Sequence, residues 1–244
     1  MPLTIAIDDA VIGRFPDLCV AAFACSQLGK ARDAGVAGAA ERLWAASRPD
    51  LEPDTATPNG ILGLPEVAAW RAATAEQQLP PAKYRSSVEA LVRRCLKGEG
   101  ISQLQPVVAA YCAVSVRYMV PLVAYDLDRV PGGHIALRPL APADRFLPIG
   151  YRPGQLPDDA PVVVYAAGST VLSWAFNHRD SQETALKPYT SRAVFIGEVI
   201  TAEGRAALLE AMQALRAVLI DSGVSAGPVE LAEPGCPIVA VETL

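Results

Sequence analysis

The sequence predicts an α+β fold, and three observations predict it. Apolar runs rich in β-branched and aromatic residues recur between turn residues, and stretches of helical period are interspersed among them. Where turn signals join neighbouring runs, the pairing reads as mainly antiparallel. The chain has 244 residues, 51% of them hydrophobic, enough to bury roughly 70% of its unfolded surface in one unit.

Taken in order, Leu3–Ile7 and Leu18–Cys25 read as strands separated by a Gly13/Pro16 turn region. Val36–Ala46 carries Ala, Leu and Trp44 at helical spacing, and Leu64–Ala75 does the same around Trp70, with Pro65 suited to a first helical turn. Arg48–Gly60, rich in Pro, Asp, Thr and Asn, reads as a loop, and Leu79-Pro80-Pro81 as a second break. Ser86–Lys97 is a helix with Ser86 as N-cap and Glu89 completing a capping box, ended by Gly98 and Gly100. Pro106–Met119 is apolar nearly all round and therefore a buried helix, stopped by Pro121. A strand over Leu122–Tyr125 follows, then a hairpin at Gly132-Gly133, a short strand around Ile135–Arg138 and an edge strand at Phe146–Ile149, limited by Pro148. Pro161–Ala166, Val171–Phe176 and Ala193–Ile200 read as buried strands. Arg205–Asp221 is a last long helix closed by Gly223, and Pro237–Val241 an edge strand.

The densest polar cluster, Asn177-His178-Arg179-Asp180-Ser181, lies between these buried strands. Five such residues are costly to desolvate unless they bond one another or a ligand. They offer an amide, an imidazole, a guanidinium, a carboxylate and a hydroxyl to one substrate, although a solvated hairpin loop fits the same pattern. Glu198, inside an otherwise apolar strand, needs a partner or a cavity. Lys83, Arg85, Arg93, Arg94 and Lys97 face a single acid, Glu89, and form a cationic stretch suited to phosphates or to a solvated helix face. Tyr125-Asp126-x-Asp128 follows a strand, where the carboxylates cap a turn or bind a cation. His134 beside Gly133 reads as structural.

Other classes fall away. The net charge of −5 argues against non-specific coating of nucleic acid while allowing a local basic face. Five cysteines (Cys19, Cys25, Cys95, Cys112, Cys236) show no C-x-x-C spacing, and with two histidines they do not make a zinc site. No Gly-rich phosphate loop, strained nucleophile elbow or other cofactor motif is found. Neither a leader after Met1-Pro2 nor an apolar run of membrane-spanning length is seen, which implies a cytoplasmic protein without a membrane partner.

Three stretches, in this order and spacing, resemble the freestanding relatives of the B3/B4 domain of the bacterial phenylalanyl-tRNA synthetase beta subunit. They are Lys83-Tyr84-Arg85-Ser86-Ser87-Val88-Glu89-Ala90-Leu91-Val92-Arg93-Arg94, then Ala113–Tyr118 running to Pro121-Leu122-Val123-Ala124-Tyr125-Asp126-Leu127-Asp128, then Asn177–Ser181 with Thr184. The resemblance covers about Pro80–Gly223, and more loosely Phe15-Pro16-Asp17-Leu18. It implies a central sheet wrapped by helices around one pocket, with an N-terminal part over 1–79, a core over 80–223 and an edge segment over 224–244. In the synthetase the module is an editing domain that hydrolyses the ester joining tyrosine to tRNA. The resemblance therefore implies a tRNA partner met at its acceptor end, an aminoacyl group as substrate, and no aminoacylation activity.

Carried over residue by residue, Asn177, His178, Arg179, Asp180 and Ser181 become candidate catalytic residues. Asn177 and Arg179 would donate to the oxyanion or to the substrate, Asp180 or Glu198 hold its ammonium group, Ser181 orient water and His178 act as base. Tyr125, Asp126, Glu198, Ser115 and Cys112 fall at the pocket, and Lys83, Arg85, Arg93, Arg94 and Lys97 at the RNA face. The synthetase has Thr-Asn where this chain has Tyr111-Cys112, and a His where it has Val123. Its Gly-rich segment is replaced by Trp174–Asp180, and its glutamate falls within about two residues of Glu198. Without the Thr and His a tyrosyl group has fewer partners to bind, so another aminoacyl group is expected. A binding protein without hydrolysis, and a hydrolase of small amino-acid esters, are the alternatives.

Overall fold

The computed structural model describes residues 3–32, 34–47, 60–151 and 159–243, so positions 48–59 of the loop expected over Arg48–Gly60 lie outside the described residues. The elements in chain order are β1 (Leu3–Ile7), α1 (Asp9–Ile12), β2 (Cys19–Ser26), α2 (Ala34–Ser47), α3 (Pro65–Glu76), α4 (Ser87–Leu96) and α5 (Pro106–Tyr118). They continue through β3 (Leu122–Asp126), β4 (His134–Pro139), β5 (Val163–Ala167), β6 (Thr170–Trp174), β7 (Arg179–Asp180) and β8 (Ala193–Val199). The chain closes with α6 (Gly204–Asp221), β9 (Ser225–Ala226), β10 (Glu230–Ala232) and β11 (Ile238–Val241). The fold is α+β and its strands are mainly antiparallel. No helix among the described residues is long and apolar enough to cross a membrane.

The strands divide between two sheets. One has the order β11-β1-β4-β5-β6-β7 and the other β10-β2-β8-β3, with β9 pairing β2. β1 and β4 are parallel, with Ile5 opposite Ile135, and the other pairings are antiparallel. The hairpin expected at Gly132-Gly133 is therefore not formed. β3 and β4 belong to different sheets, and Pro131–Gly133 is a single 3-10 turn, with Gly132 at φ 69, that carries the chain between them. Phe146–Ile149 contributes one bridge, Pro148 to Ser181, rather than a strand.

Alternation along β8 sets the layers. Gly197 faces α6, where an added Cβ would meet Leu122 Cδ2 at 2.6 Å, Leu208 Cδ1 at 2.9 Å and Met212 Sδ at 3.0 Å. The next residue, Glu198, points the other way, to Tyr165 of the six-stranded sheet. The five-stranded sheet is thus sandwiched between helix and sheet. A smaller core of Leu79, Tyr84, Phe146, Val164, Ala166, Val171, Trp174 and Ala175 is separate from the main one.

Gly197→Ala overpacks this helix–sheet junction and should lower unfolding stability by roughly 1–3 kcal/mol in urea titration. Unchanged stability would mean that α6 separates from β8 without cost.

Candidate functional site

Cross-strand register assembles the site. Tyr165 on β5 is opposite Ser173 on β6, and Ser173 is opposite Asp180 on β7, so the three side chains share one face of the sheet. That face meets Glu198. Tyr165 Oη donates to Glu198 Oε2 at 2.5 Å, Asn177 Nδ2 donates to Glu198 Oε1 at 2.7 Å, and Ser173 Oγ donates to Asp180 Oδ1 at 2.7 Å. Asn177 Oδ1 in turn accepts from the backbone N–H of Ser87 at 2.8 Å, which anchors the start of α4 to the cluster.

A strained turn delivers Asn177 to this position. Ala175 and Phe176 have φ of 51° and 62°, a left-handed conformation that costs non-glycine residues of order 1–3 kcal/mol each. Phe176 is held there by edge-to-face packing on Phe15 at 5.1 Å and Trp70 at 5.4 Å.

Burial is the main cause of the site's electrostatics. It pushes Glu198 up to about 7, with the Tyr165 and Asn177 hydrogen bonds acting in opposition and the Asp180 charge adding to the rise. It pushes Asp180 up to about 6, opposed by the Ser173 bond and the Arg179 charge. Desolvation keeps the phenols of Tyr111, Tyr125 and Tyr165 well above their ordinary value and the Cys112 thiol at about 12, so all four stay protonated. The Asp180 charge also reaches Tyr111, Cys112 and Tyr125. Tyr125, Tyr165, Ser173 and Glu198 are buried, whereas Asp180 and Tyr111 keep partial solvent exposure.

Among the described residues, the buried side-chain atoms without a hydrogen-bond partner are Ser87 Oγ, Tyr125 Oη, Trp174 Nε1, Arg179 Nε and Thr184 Oγ1. All belong to the cluster or to the segments beside it. Each such group costs about 1–3 kcal/mol when left without water or another partner, and their concentration in one region makes it the candidate site.

A family model described as the B3/4 domain matches residues 69–211. The chain belongs to the B3/4 domain family. Among solved structures, this B3/4 protein is similar to an N-terminal fragment of the phenylalanyl-tRNA synthetase beta-subunit from Pyrococcus horikoshii, with a TM-score of 0.45 and 10% sequence identity. The similarity covers 91% of this chain and 49% of the fragment, so the chain spans about half of the fragment's length. No curated protein matches.

The five residues at positions 177–181 of the B3/4 protein do not act as one loop. Asn177 and Asp180 face the cluster. His178 Nδ1 donates to the Arg85 carbonyl at 2.9 Å, its ring packs edge-on against Tyr84, and burial holds its pKa low, so it is a neutral tie between loops. Arg179 Nη1 donates to the Ile149 carbonyl at 3.0 Å while the guanidinium lies over the Tyr151 ring at 5.5 Å, so it ties down the segment before β5. Ser181 is wholly buried and its Oγ accepts from the Glu183 N–H at 3.2 Å, so it does not present a hydroxyl to water. Asp126 caps its turn by accepting from the Asp128 N–H at 3.1 Å and binds Thr190 Oγ1 at 2.6 Å, so both carboxylate oxygens serve the fold. Ser115 Oγ donates to the Val120 carbonyl at 2.6 Å, closing the end of α5. Cys112 lies near Asp180 as a protonated thiol.

The cationic stretch adjoins this cluster through Ser87 and Arg85, but part of it is neutralised. Ser86 Oγ accepts from the Glu89 N–H at 3.3 Å, whereas the buried Glu89 carboxylate turns to Arg71 at 3.0 Å, Arg93 at 2.9 Å and Arg85 at 3.7 Å. Lys83 pairs with Asp159 at 3.1 Å and lies over the Tyr84 ring. Arg94 donates to the Gly100 carbonyl, its charge reaches Cys112, and Lys97 is exposed. Tyr165 and Ser173 were not among the sequence-based candidates. Both sit in apolar strands, where a tyrosine or a serine is ordinary and gives no signal like that of the acid Glu198.

Glu198 titrates higher folded than unfolded, so the native state binds the extra proton and stability falls as pH rises from about 4.5 to about 7. Glu198→Gln removes that penalty. Thermal unfolding should show the variant gaining on wild type between pH 5 and pH 8, and a pH-independent difference would contradict the shifted carboxyl.

Proposed function

We propose that this B3/4 protein binds tRNA and hydrolyses the ester of a mischarged aminoacyl-tRNA in trans. The observation that carries the reading is the meeting of two carboxyls in one cluster, Glu198 buried and Asp180 half-buried, with Asn177 tying that cluster to the cationic helix. Burial pushes both acids above the ordinary carboxylate range. A carboxylate with its pKa near 6 is mostly ionised at pH 7 yet still basic enough to accept a proton from water. Asp180, which keeps solvent exposure, takes that proton as water adds to the ester carbonyl. The acyl C–O bond then breaks, the proton passes to the departing ribose oxygen, and a free amino acid and tRNA are released. The negative charge shared by the two carboxyls suits the substrate's α-ammonium group. Asn177 and Tyr165 hold Glu198 in place, and Arg94 and Lys97 meet phosphates of the acceptor stem together with the outer side of Arg85.

One observation favours binding without hydrolysis. Glu198, Tyr165 and Asn177 satisfy one another, as a structural network joining two sheets would. Deacylation assays over a panel of mischarged tRNAs separate the two readings. Hydrolysis requires wild-type turnover on at least one of them. It also requires a loss of roughly 10²–10⁴-fold in Asp180→Asn, and a wild-type rate that falls as pH drops through about 6. Salt-dependent tRNA binding with no turnover selects the binding reading. Reversing charge at Arg94 and Lys97 should weaken tRNA binding and lower its salt slope by about one for each phosphate no longer neutralised. An unchanged slope would remove α4 from the RNA face.

A further inference from the structure

We propose that Tyr125 is a catalytic residue of this site, its hydroxyl donating a hydrogen bond to the acyl carbonyl oxygen as that atom becomes an oxyanion. The inference rests on the hydrolytic reading above and assigns one of its steps. Tyr125 stands on β3 opposite Val194, and alternation along β8 puts Val194, Ile196 and Glu198 on one face, so the phenol points to the same side as Glu198. Its ring is wholly buried and no hydrogen bond of good geometry engages its Oη among the described residues. The Ser173 hydroxyl lies close enough to act on it weakly, and the charges of Asp180 and Glu198 reach it.

Tyr165 and Asn177 donate to Glu198 and Ser173 donates to Asp180. Among the described residues the unpartnered groups besides Tyr125 are Ser87 Oγ, Trp174 Nε1, Arg179 Nε and Thr184 Oγ1, of which Arg179 is tied through Nη1 to Ile149 and lies over Tyr151. Tyr125 is left as a neutral O–H donor fixed in a low-dielectric setting, where such a group acts most strongly on developing negative charge. In the folded protein alone the same hydroxyl is a liability, because an unpaired buried donor destabilises. A core position with no other task would be filled as well by Phe. The step involves a hydrogen bond only: the oxyanion forms from the carbonyl electron pair, the water proton goes to Asp180, and Tyr125 keeps its own proton throughout.

The two effects of the hydroxyl make the test specific. In the full-length chain, Tyr125→Phe should lower kcat on a mischarged tRNA by roughly 10²–10³-fold, leave KM within about threefold, and keep the thermal midpoint equal to or above that of wild type. A purely structural tyrosine would lower the midpoint and leave the kcat of the folded fraction unchanged. Should the variant not fold, a fluorotyrosine at position 125 replaces it: kcat changing with the acidity of the phenol supports the role, and constant kcat overturns it. An active wild type with an equally active Tyr125→Phe variant removes Tyr125 alone. Absence of wild-type turnover on every aminoacyl-tRNA removes the hydrolytic reading and this inference with it.

Discussion

The hydrogen bond between the Tyr165 hydroxyl and the Glu198 carboxyl is the interaction on which the rest of the architecture turns. It crosses between the two sheets at a point where solvent is excluded, so a charge-bearing side chain sits where an apolar one would normally pack. Glu198 can point inward because Gly197, its neighbour, leaves room for α6 on the opposite face. The second carboxyl oxygen is bonded by Asn177, whose own carbonyl holds the first N–H of α4. One buried acid thereby links both sheets, the turn after β6 and the cationic helix.

Several local features oppose stability in the same place. The turn at Ala175 and Phe176 is left-handed without a glycine, two acids are desolvated, and unpaired polar atoms collect around them. The aromatic grip of Phe15 and Trp70 on Phe176 offsets this strain. Such a concentration of unfavourable terms in one region is what pre-organisation for a ligand produces.

Much of the fold was legible along the chain because the signals are local. The Ser86 cap, Pro106 at the head of a buried helix and the β-branched runs of β5, β6 and β8 each declare an element within a few residues. What was not legible depends on long-range pairing. Nothing in Gly132-Gly133 signals that the next strand joins β1, more than a hundred residues away, rather than β3. Within the site, Glu198 was visible as an acid in an apolar strand, but its partners were not, since Tyr165 passes for an ordinary strand aromatic. The five polar residues after Phe176 looked equivalent in sequence. The left-handed turn before them decides that Asn177 enters the cluster, while His178 and Arg179 tie down neighbouring loops, and neither alanine nor phenylalanine advertises that conformation.

The central claim is that two carboxyls of this cluster, the buried Glu198 and the half-buried Asp180, exchange protons near neutrality. Carbon-13 NMR of the folded protein labelled at Asp and Glu side-chain carboxyls, titrated from pH 3 to pH 9, tests it directly. The account predicts two resonances that move late, one near pH 6 and one near pH 7, absent in turn from Asp180→Asn and Glu198→Gln. If every carboxyl titrates within the ordinary acidic range of about 3–5, the acids are structural anions and the account fails.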